Sequence, residues 1–267
     1  MKNEIELMED QRQFDYRRIA EGYIKDRPYL HGRVMDMVKH KINLCSNFKN
    51  GMDIGCGAGL STKALRTICD HVTGTDISPE MIEAAHALYK EEGYSFKTCR
   101  AEDIEVNDKS LDIVTAAGSI NWIDEHKLLP LLQNALTDNG LLLIYDFWIT
   151  DKMEQGREYT DWWYQEYLPN FPKPKRKENK WTDRDVAEYG FQMFSQEEYT
   201  TEYEMDKDYF IRFMLLQSNV IAQVEEGSRN LEEVKIWFYN TLSKFWKEEK
   251  KMLIFEGYNW YLIKTKK

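Results

Sequence analysis

Three glycines at alternate positions, Gly55, Gly57 and Gly59, follow a short stretch of strand-like residues. Glycine readily adopts backbone conformations with positive φ, and because it has no Cβ, the chain can pass close to a bound molecule. In a doubly wound parallel sheet, ligands bind beyond the carboxyl ends of the strands, where the first strand turns into the first helix. The three glycines therefore predict a ligand-binding loop at that turn.

An acidic residue at the end of the next predicted strand supplies a second candidate contact. Asp76 follows Gly55 by about 20 residues, the spacing expected of a carboxylate that accepts hydrogen bonds from ribose hydroxyls. Taken alone, Asp76 can equally help to start the next helix, because Ser78 and Pro79 are a favoured N-cap and first helical residue. A nicotinamide or flavin fingerprint requires a small residue where this chain has Leu60, so the spacing disfavours a dehydrogenase.

Strand and helix signals alternate around these residues. This alternation is typical of a parallel sheet that is covered by helices on both faces. We therefore predict an α/β fold with a Rossmann-like, doubly wound, mostly parallel sheet of seven strands and helices on both faces. The first five strand-like stretches lie at 51–54, 72–76, 94–99, 111–117 and 140–148.

The chain on either side of this alternation has a different character. Helical periodicity over 11–41, interrupted at Pro28, predicts one or two helices before the core. After Trp148, the stretch 151–189 combines three tryptophans, three prolines and a basic run, which predicts a helical or irregular cap rather than sheet. The remaining stretches indicate a strand at 191–205, helices at 207–225 and 231–247, and a final strand or strand pair from 251.

These features predict a single domain over residues 1–267. Its parts are N-terminal helices at 1–48, a ligand-binding core at 49–148, a cap insertion at 149–190, and C-terminal strands and helices at 191–267.

Composition limits the class of protein. A net charge of −10 and a pI near 5.2 argue against nucleic acid as a partner, because such binding depends on positive potential. The four cysteines form no C-x-x-C pair or Cys/His cluster, which indicates reduced structural thiols and predicts no metal site. The N-terminal residues lack the apolar stretch of a signal peptide, and no run of about 20 apolar residues is present. We therefore expect a cytoplasmic protein without a membrane span.

The stretch DIGCGAG at 53–59 resembles motif I of the class I S-adenosylmethionine-dependent methyltransferases. The resemblance covers residues 14–148 and is strongest to the small-molecule group that includes trans-aconitate methyltransferases. It implies S-adenosylmethionine as cofactor and a small-molecule methyl acceptor as partner. It also implies cofactor-binding roles for Tyr23, Arg27, Asp53, Gly55, Cys56, Gly57, Gly59, Asp76, Ile77, Met81, Ala101, Glu102, Asp103, Ala117, Gly118 and Trp122.

Within this resemblance, Ile77 and Met81 cover the adenine, the residues 101–103 read the adenine edge, and the residues near 117–122 line the methionine portion. Two positions depart from the family pattern. Arg100 stands where many relatives have an aspartate that bonds the adenine amino group, and Asn121 replaces a histidine. These departures leave the adenine-reading side chain and a catalytic base unassigned.

The resemblance implies in-line methyl transfer to a carboxylate or another oxygen nucleophile. The catalytic residue is unknown, and His31 and His126 are the nearest candidate bases, although an isolated histidine is more often structural. Trp162 and Trp163 either contact the acceptor or pack the cap. A non-catalytic S-adenosylmethionine-binding regulator, and a C- or N-methyltransferase with a different acceptor, remain alternatives. The acceptor and the oligomeric state are not identified by the sequence.

Overall fold

The strands of the computed structural model form one sheet. They are β1 Phe48–Ile54, β2 Cys69–Asp76, β3 Tyr94–Thr98, β4 Leu111–Ala117, β5 Leu136–Met153, β6 Phe191–Met205 and β7 Lys251–Lys264. The structure describes residues 17–154, 156–173, 181–247 and 249–265. In this part of the chain the strand order is β3-β2-β1-β4-β5-β7-β6.

The sheet is parallel over five strands and mixed at one edge. β1 pairs parallel with β2 and β4, β2 with β3, and β4 with β5. β7 is antiparallel to β5, because the Glu154 N–H just beyond β5 donates to Met252 near the start of β7. At the opposite end of β7, Lys264 donates to the Leu136 carbonyl at the start of β5. The predicted fold class, a seven-stranded and mostly parallel sheet, is confirmed.

The helices connect these strands as the alternating pattern predicted. Two 3₁₀ turns, Ala101–Asp103 and Ile120–Trp122, follow β3 and β4, and a π-helical turn spans Trp163–Tyr167. The α-helices of the described residues are α1 Arg17–Asp26, α2 His31–Lys41, α3 Leu60–Leu65, α4 Pro79–Leu88, α5 Glu125–Ala135, α6 Arg157–Trp162, α7 Leu168–Asn170, α8 Asp183–Ala187, α9 Lys207–Met214, α10 Ser218–Glu225 and α11 Leu231–Leu242.

Local sequence explains where the core helices begin. The Ser78 hydroxyl accepts the Met81 N–H at 3.3 Å, and Pro79 occupies the first position of α4, as predicted. Asp124 caps α5 in the same way by accepting the His126 N–H. Each cap satisfies an N–H that has no partner within its helix, and so fixes the helix start.

The chain divides into two compact units. The glycine-loop unit comprises Tyr29–Asp146, Lys177–Glu198 and Tyr258–Lys267. The aromatic unit comprises Met1–Pro28, Phe147–Arg176 and Tyr199–Gly257. The predicted single domain and its internal boundaries stay a prediction.

Both sheet faces in the glycine-loop unit are covered by helices. On one face, Met52, Val114 and Leu142 of three adjacent strands pack in one apolar cluster with the leucines of α5. Side chains alternate along a strand, so the neighbouring Gly51 faces the other side. There a Cβ would lie 3.1 Å from Leu65 of α3.

The aromatic unit has a core of stacked and edge-on rings. Trp162 stacks on Tyr167 with ring centroids 5.5 Å apart, and its Nε1 donates to Thr241 at 3.0 Å. Phe171 stacks on Phe238 at 5.5 Å. These four rings are buried, so α6, the π-helical turn and α11 form a packed structure.

Several predicted boundaries differ from the structure. β5 continues to Met153, so the first five residues of the predicted 149–190 insertion are strand. β7 provides the partner, because Thr150 donates to the Ile254 carbonyl. The helical stretch 207–225 is two helices, the next ends at Leu242, and the final stretch is one strand. Residues 11–16 of the predicted N-terminal helix lie outside the described residues.

No helix in the described ranges is long and apolar enough to cross a bilayer.

Candidate functional site

The loop after β1 has left-handed backbone geometry at all three glycines. Their φ angles are 67° at Gly55, 51° at Gly57 and 88° at Gly59. L side chains rarely adopt such angles, so the predicted need for glycine at these positions is confirmed. Two backbone bonds close the loop, from the Cys56 N–H to the Thr75 carbonyl and from the Gly59 N–H to the Cys56 carbonyl.

The surroundings of the three glycines differ. A Cβ on Gly55 would lie 2.4 Å from the Cβ of Ser119, and one on Gly59 would lie 2.8 Å from the ring of Tyr89. Among the described residues, a Cβ on Gly57 would meet only the sulfur of Met81, at 3.9 Å. Gly55 and Gly59 therefore pack against protein, whereas Gly57 borders space that a ligand can fill.

The carboxylate of Asp76 joins the end of β2 to this loop. Its Oδ2 accepts the Gly57 N–H at 2.8 Å, and its Oδ1 accepts the Ser78 N–H at 2.9 Å. The second bond is the helix-starting role that the sequence left open. The first places the carboxylate beside the loop, at the position predicted for the acceptor of ribose hydroxyls.

Asp53 supports the loop from within the protein. Its fully buried carboxylate accepts hydrogen bonds from Ser61 at 2.6 Å, Thr62 at 2.7 Å and Thr115 at 2.8 Å. Burial raises the pKa of Asp53 to about 6, against the opposing effect of the three hydroxyls. This geometry favours a positioning role over the direct cofactor contact that the motif predicted.

The Cys56 side chain packs into the protein interior, and its thiol donates to the Gly57 carbonyl at 3.4 Å. The thiol is buried with Ile82, Ala85 and Phe96, and burial raises its pKa well above the ordinary value. A contact of Cys56 with a ligand would therefore be made by its backbone.

The predicted adenine contacts lie beyond β2 and β3. Ile77 leaves 38% of its surface exposed, which is high for an isoleucine, while Met81 is buried. In the turn after β3, Arg100 pairs with Glu102 at 3.6 Å and with Asp103 at 3.8 Å. Arg100 thus partly neutralises the acidic side chains that the resemblance assigned to the adenine edge, and Ala101 between them is half-buried.

The predicted methionine contacts lie beyond β4. Gly118 has a φ of 64°, its N–H donates to the Tyr145 carbonyl, and a Cβ there would lie 3.0 Å from Oδ1 of Asp146. Ala117 ends β4, and Trp122 is half-buried in the following 3₁₀ turn. This segment is tied to β1, because Ser119 donates to the Ile54 carbonyl at 2.8 Å.

Four predicted residues belong to the aromatic unit. Tyr23 and Arg27 contact each other, with the guanidinium 4.3 Å above the tyrosine ring. Trp162 and Trp163 are buried among other rings, at 4% and 5% exposure. Their burial favours the packing role that the sequence left open. The other predicted cofactor residues follow or end β1, β2, β3 and β4 in the glycine-loop unit.

Sequence reasoning missed the hydroxyls of Ser61, Thr62 and Thr115 that hold Asp53. The first two follow the glycines directly, which is the signal that identifies them. Thr115 reaches Asp53 through the pairing of β1 with β4. Sequence reasoning also missed Asp146, because nothing in the sequence around Asp146 relates this residue to Gly118.

Comparison with known proteins agrees with this site. Residues 52–144 match the family model described as a methyltransferase domain. An uncharacterized methyltransferase of Schizosaccharomyces pombe is 32% identical over 39% of this chain and 39% of its own length. Trans-aconitate 2-methyltransferase of Klebsiella pneumoniae is 34% identical over 35% of this chain and 37% of its own length. The chain therefore spans well under half the length of these relatives.

The fold extends the similarity beyond that segment. A solved structure of a putative type II methyltransferase from Anaeromyxobacter dehalogenans superposes with a TM-score of 0.64, at 16% identity. It covers 88% of this chain and 95% of the other. Residues 52–144 are thus similar to a methyltransferase domain, and S-adenosylmethionine is the cofactor that this similarity indicates.

The residues present fit this cofactor. The space over Gly57, the carboxylate of Asp76 and the exposed side chain of Ile77 are adjacent in the chain or hydrogen-bonded to one another. Together they offer a close-approach surface, a hydroxyl acceptor and an apolar contact, which are the contacts that a nucleoside requires. Among the described residues, no cluster of side chains is arranged to hold a metal ion.

Proposed function

We propose that the protein transfers a methyl group from S-adenosylmethionine to a small-molecule acceptor by in-line displacement. The observation that carries the proposal is the pairing of Gly57 with Asp76. The Gly57 N–H is held by the Asp76 carboxylate at 2.8 Å, while among the described residues a Cβ on Gly57 would meet only the sulfur of Met81, at 3.9 Å. A nucleoside lying there would meet backbone on one side and a hydrogen-bond acceptor on the other.

Residues of the glycine-loop unit would bind different parts of the cofactor. In this proposal Asp76 accepts the ribose hydroxyls, Ile77 and Met81 contact the adenine, and the 3₁₀ turn Ala101–Asp103 lies at the adenine edge. Ala117, Gly118 and Trp122 line the methionine portion. Gly55, Gly59, Cys56 and Asp53 shape the loop. The roles predicted for Tyr23 and Arg27, which belong to the aromatic unit, stay a prediction.

The order of the strands then orients the ligand. β2 and β3 lie on one side of β1, and β4 and β5 lie on the other. With the nucleoside assigned to the β2 side, the methionine end falls on the β4 side, near Gly118. The acceptor would therefore approach over the carboxyl ends of β4 and β5.

When bound, S-adenosylmethionine supplies an electrophilic methyl group on a sulfonium. The protein's own contribution is to align the acceptor and exclude water, and such alignment can lower a barrier by roughly 7–11 kcal/mol. The relative named trans-aconitate 2-methyltransferase supports a small molecule with a carboxylate or another oxygen nucleophile as the acceptor. We also propose a cytoplasmic location.

Titration calorimetry tests the binding half of the proposal. We expect S-adenosylmethionine and S-adenosylhomocysteine to bind and nicotinamide dinucleotides not to bind. A Gly57→Val variant should lose binding, because the new side chain fills the ligand space. Gly227→Val is the matched control, since Gly227 has a φ of 74° and no atom of the described residues lies within 4 Å of its Cβ position. Binding retained in the Gly57 variant would contradict the placement.

A labelled-methyl assay tests the chemical half. The protein is incubated with methyl-labelled S-adenosylmethionine and a metabolite extract, and labelled products are identified by mass spectrometry. Transfer to a small molecule supports the proposal. Tight cofactor binding without a labelled product would favour the non-catalytic regulator, and a label on carbon or nitrogen would favour the C- or N-methyltransferase alternative.

A further inference from the structure

The first residue of α2, His31, is joined to a buried tyrosine of β5. Its Nδ1 lies 2.9 Å from the hydroxyl of Tyr145, although 114 positions separate the two residues. The two rings meet edge to face, with centroids 5.8 Å apart. Tyr145 is 1% exposed and His31 is half-buried. A bond at Nδ1 fixes the orientation of the imidazole, and when Nδ1 donates to the Tyr145 hydroxyl, Nε2 is the unprotonated nitrogen that can act as a base.

This pair lies at the carboxyl edge of the sheet. Tyr145 is opposite Ala117 in the pairing of β4 with β5, and its carbonyl accepts the Gly118 N–H at 2.8 Å. These are the residues that the proposed function places along the methionine portion of the cofactor. The histidine is therefore on the side of β1 where the acceptor would approach.

A second set of contacts places His31 near the helix that follows the glycine loop. The ring of Tyr29 is 6.2 Å from that of His31, and Lys63 of α3 lies over Tyr29 at 5.0 Å. His31 thus stands between α3 and β5. Among the titratable groups near it are Tyr29 from the preceding segment and Tyr145 from the sheet, and Lys63 lies over Tyr29.

We propose that His31 accepts the proton of the methyl acceptor and that Tyr145 positions the imidazole for this role. The inference rests on the proposed function, because that function places the methyl end of the cofactor on the β4 side. It also names the acceptor class, which is a hydroxyl compound rather than a carboxylate. A carboxylate is already deprotonated at neutral pH and needs no base.

The step balances without a further reactant. The acceptor oxygen forms a bond to the methyl carbon as the carbon–sulfur bond breaks, and the electron pair of that bond stays on sulfur. The hydroxyl proton passes to the imidazole of His31, which later releases it to water. Histidine suits this task because its ordinary pKa, about 6.5, lies near neutrality.

The carboxylate of Asp146, at the carboxyl edge of the sheet, favours a hydroxyl over a carboxylate as the methyl acceptor. Asp146 lies beside Gly118, since a Cβ on that glycine would be 3.0 Å from Oδ1 of Asp146. Burial and then the charge of Asp146 raise the pKa of Tyr258. A carboxylate acceptor beside Gly118 would be disfavoured by the nearby carboxylate of Asp146.

NMR titration of the histidines tests the inference without a known acceptor. Imidazole-labelled protein is titrated in its complexes with S-adenosylmethionine and with S-adenosylhomocysteine, which differ by the positive charge on sulfur. We expect the His31 pKa to be lower by about half a unit or more in the first complex, because a positive charge within roughly 10 Å disfavours the imidazolium. A His31→Asn variant assigns the signal, and exposed His71 in the first half of β2 is the internal control.

The outcomes separate this inference from the proposed function. Binding of neither ligand by calorimetry contradicts the proposed function itself. Binding of both with the same His31 titration overturns the role of His31 alone. A Tyr145→Phe variant should bind S-adenosylhomocysteine with unchanged affinity but alter the ¹⁵N shifts that report the His31 tautomer, and unchanged shifts would contradict the positioning role.

The labelled-methyl assay supplies an independent reading of the acceptor class. A label on a hydroxyl oxygen, with transfer reduced at least about 100-fold by His31→Asn, supports the inference. A labelled methyl ester of a carboxylate, or undiminished transfer by the variant, overturns it.

Discussion

Replacing Asp53 with asparagine tests how the protein supports the glycine loop. The Asp53 carboxylate is fully buried and accepts hydrogen bonds from three hydroxyls. Burial disfavours the ionised form, whereas the hydrogen bonds favour it. Burial is the larger effect, because the pKa rises from the ordinary value of 3.8 to about 6.

The size of the effect follows from this rise in pKa, which corresponds to about 3 kcal/mol. Between pH 4 and 6 the folded protein holds a proton at Asp53 that the unfolded chain has lost, so the free energy of unfolding falls as the pH rises through this range. Above about pH 6 the contribution is constant. The asparagine side chain of the variant does not titrate, so the substitution removes this dependence.

Urea unfolding from pH 4 to 8 measures the difference in unfolding free energy between the wild type and Asp53→Asn. We expect the stability of the wild type relative to the variant to decline by about 2.4 kcal/mol between pH 4 and 7. Asp108→Asn, at an exposed turn position, is the matched control for loss of one carboxylate. A difference that is flat with pH, or that grows as the pH rises, would refute the reasoning, and the second result would mean that the hydroxyls outweigh burial.

Three further predictions concern the two units. Asp76→Ala should weaken S-adenosylmethionine binding by about 1.5–3 kcal/mol, because a charged hydrogen-bond acceptor is lost; calorimetry measures this, and unchanged affinity would refute the ribose assignment. Trp162→Ala should lower the free energy of unfolding by about 3–5 kcal/mol, since it leaves a cavity among buried rings and removes the bond to Thr241. Urea unfolding measures this loss, exposed Tyr164→Ala is the control, and a stable Trp162 variant with impaired methyl transfer would instead support an acceptor contact. Asn230→Ala should cost about 0.5–2 kcal/mol by removing the N-cap of α11, which accepts two N–H groups; an unchanged unfolding midpoint would show that the cap does not contribute.

Features that depend on local chemistry could be predicted from the sequence. The glycine pattern identified the loop because a left-handed backbone is costly for other residues, and all three glycines have positive φ. Ser78 and Pro79 identified the start of α4 because capping involves neighbours in the chain. The strand and helix alternation identified the parallel sheet for the same reason, since each signal is contained within a short window.

Features that depend on distant pairing could not be predicted. The bond between His31 and Tyr145 requires α2 to pack beside β5, and the bond between Thr115 and Asp53 requires the register of β1 with β4. The extension of β5 to Met153 depends on β7, whose Ile254 is 104 positions from Thr150. No local pattern contains this information, so such contacts emerge only when the sheet is assembled.

The same distant contacts explain how a glycine-rich loop can serve as a binding surface. Glycine loses more backbone entropy on ordering than other residues, so a flexible loop would have to be ordered at the expense of ligand affinity. Here hydrogen bonds of the fold itself order the loop. Asp76 holds the Gly57 N–H, Thr75 holds the Cys56 N–H, and Ser119 ties the end of β1 to the segment after β4. The loop is thus hydrogen-bonded to neighbouring strands on both flanks. Because folding already orders its backbone, binding of a nucleoside requires little further loss of backbone entropy.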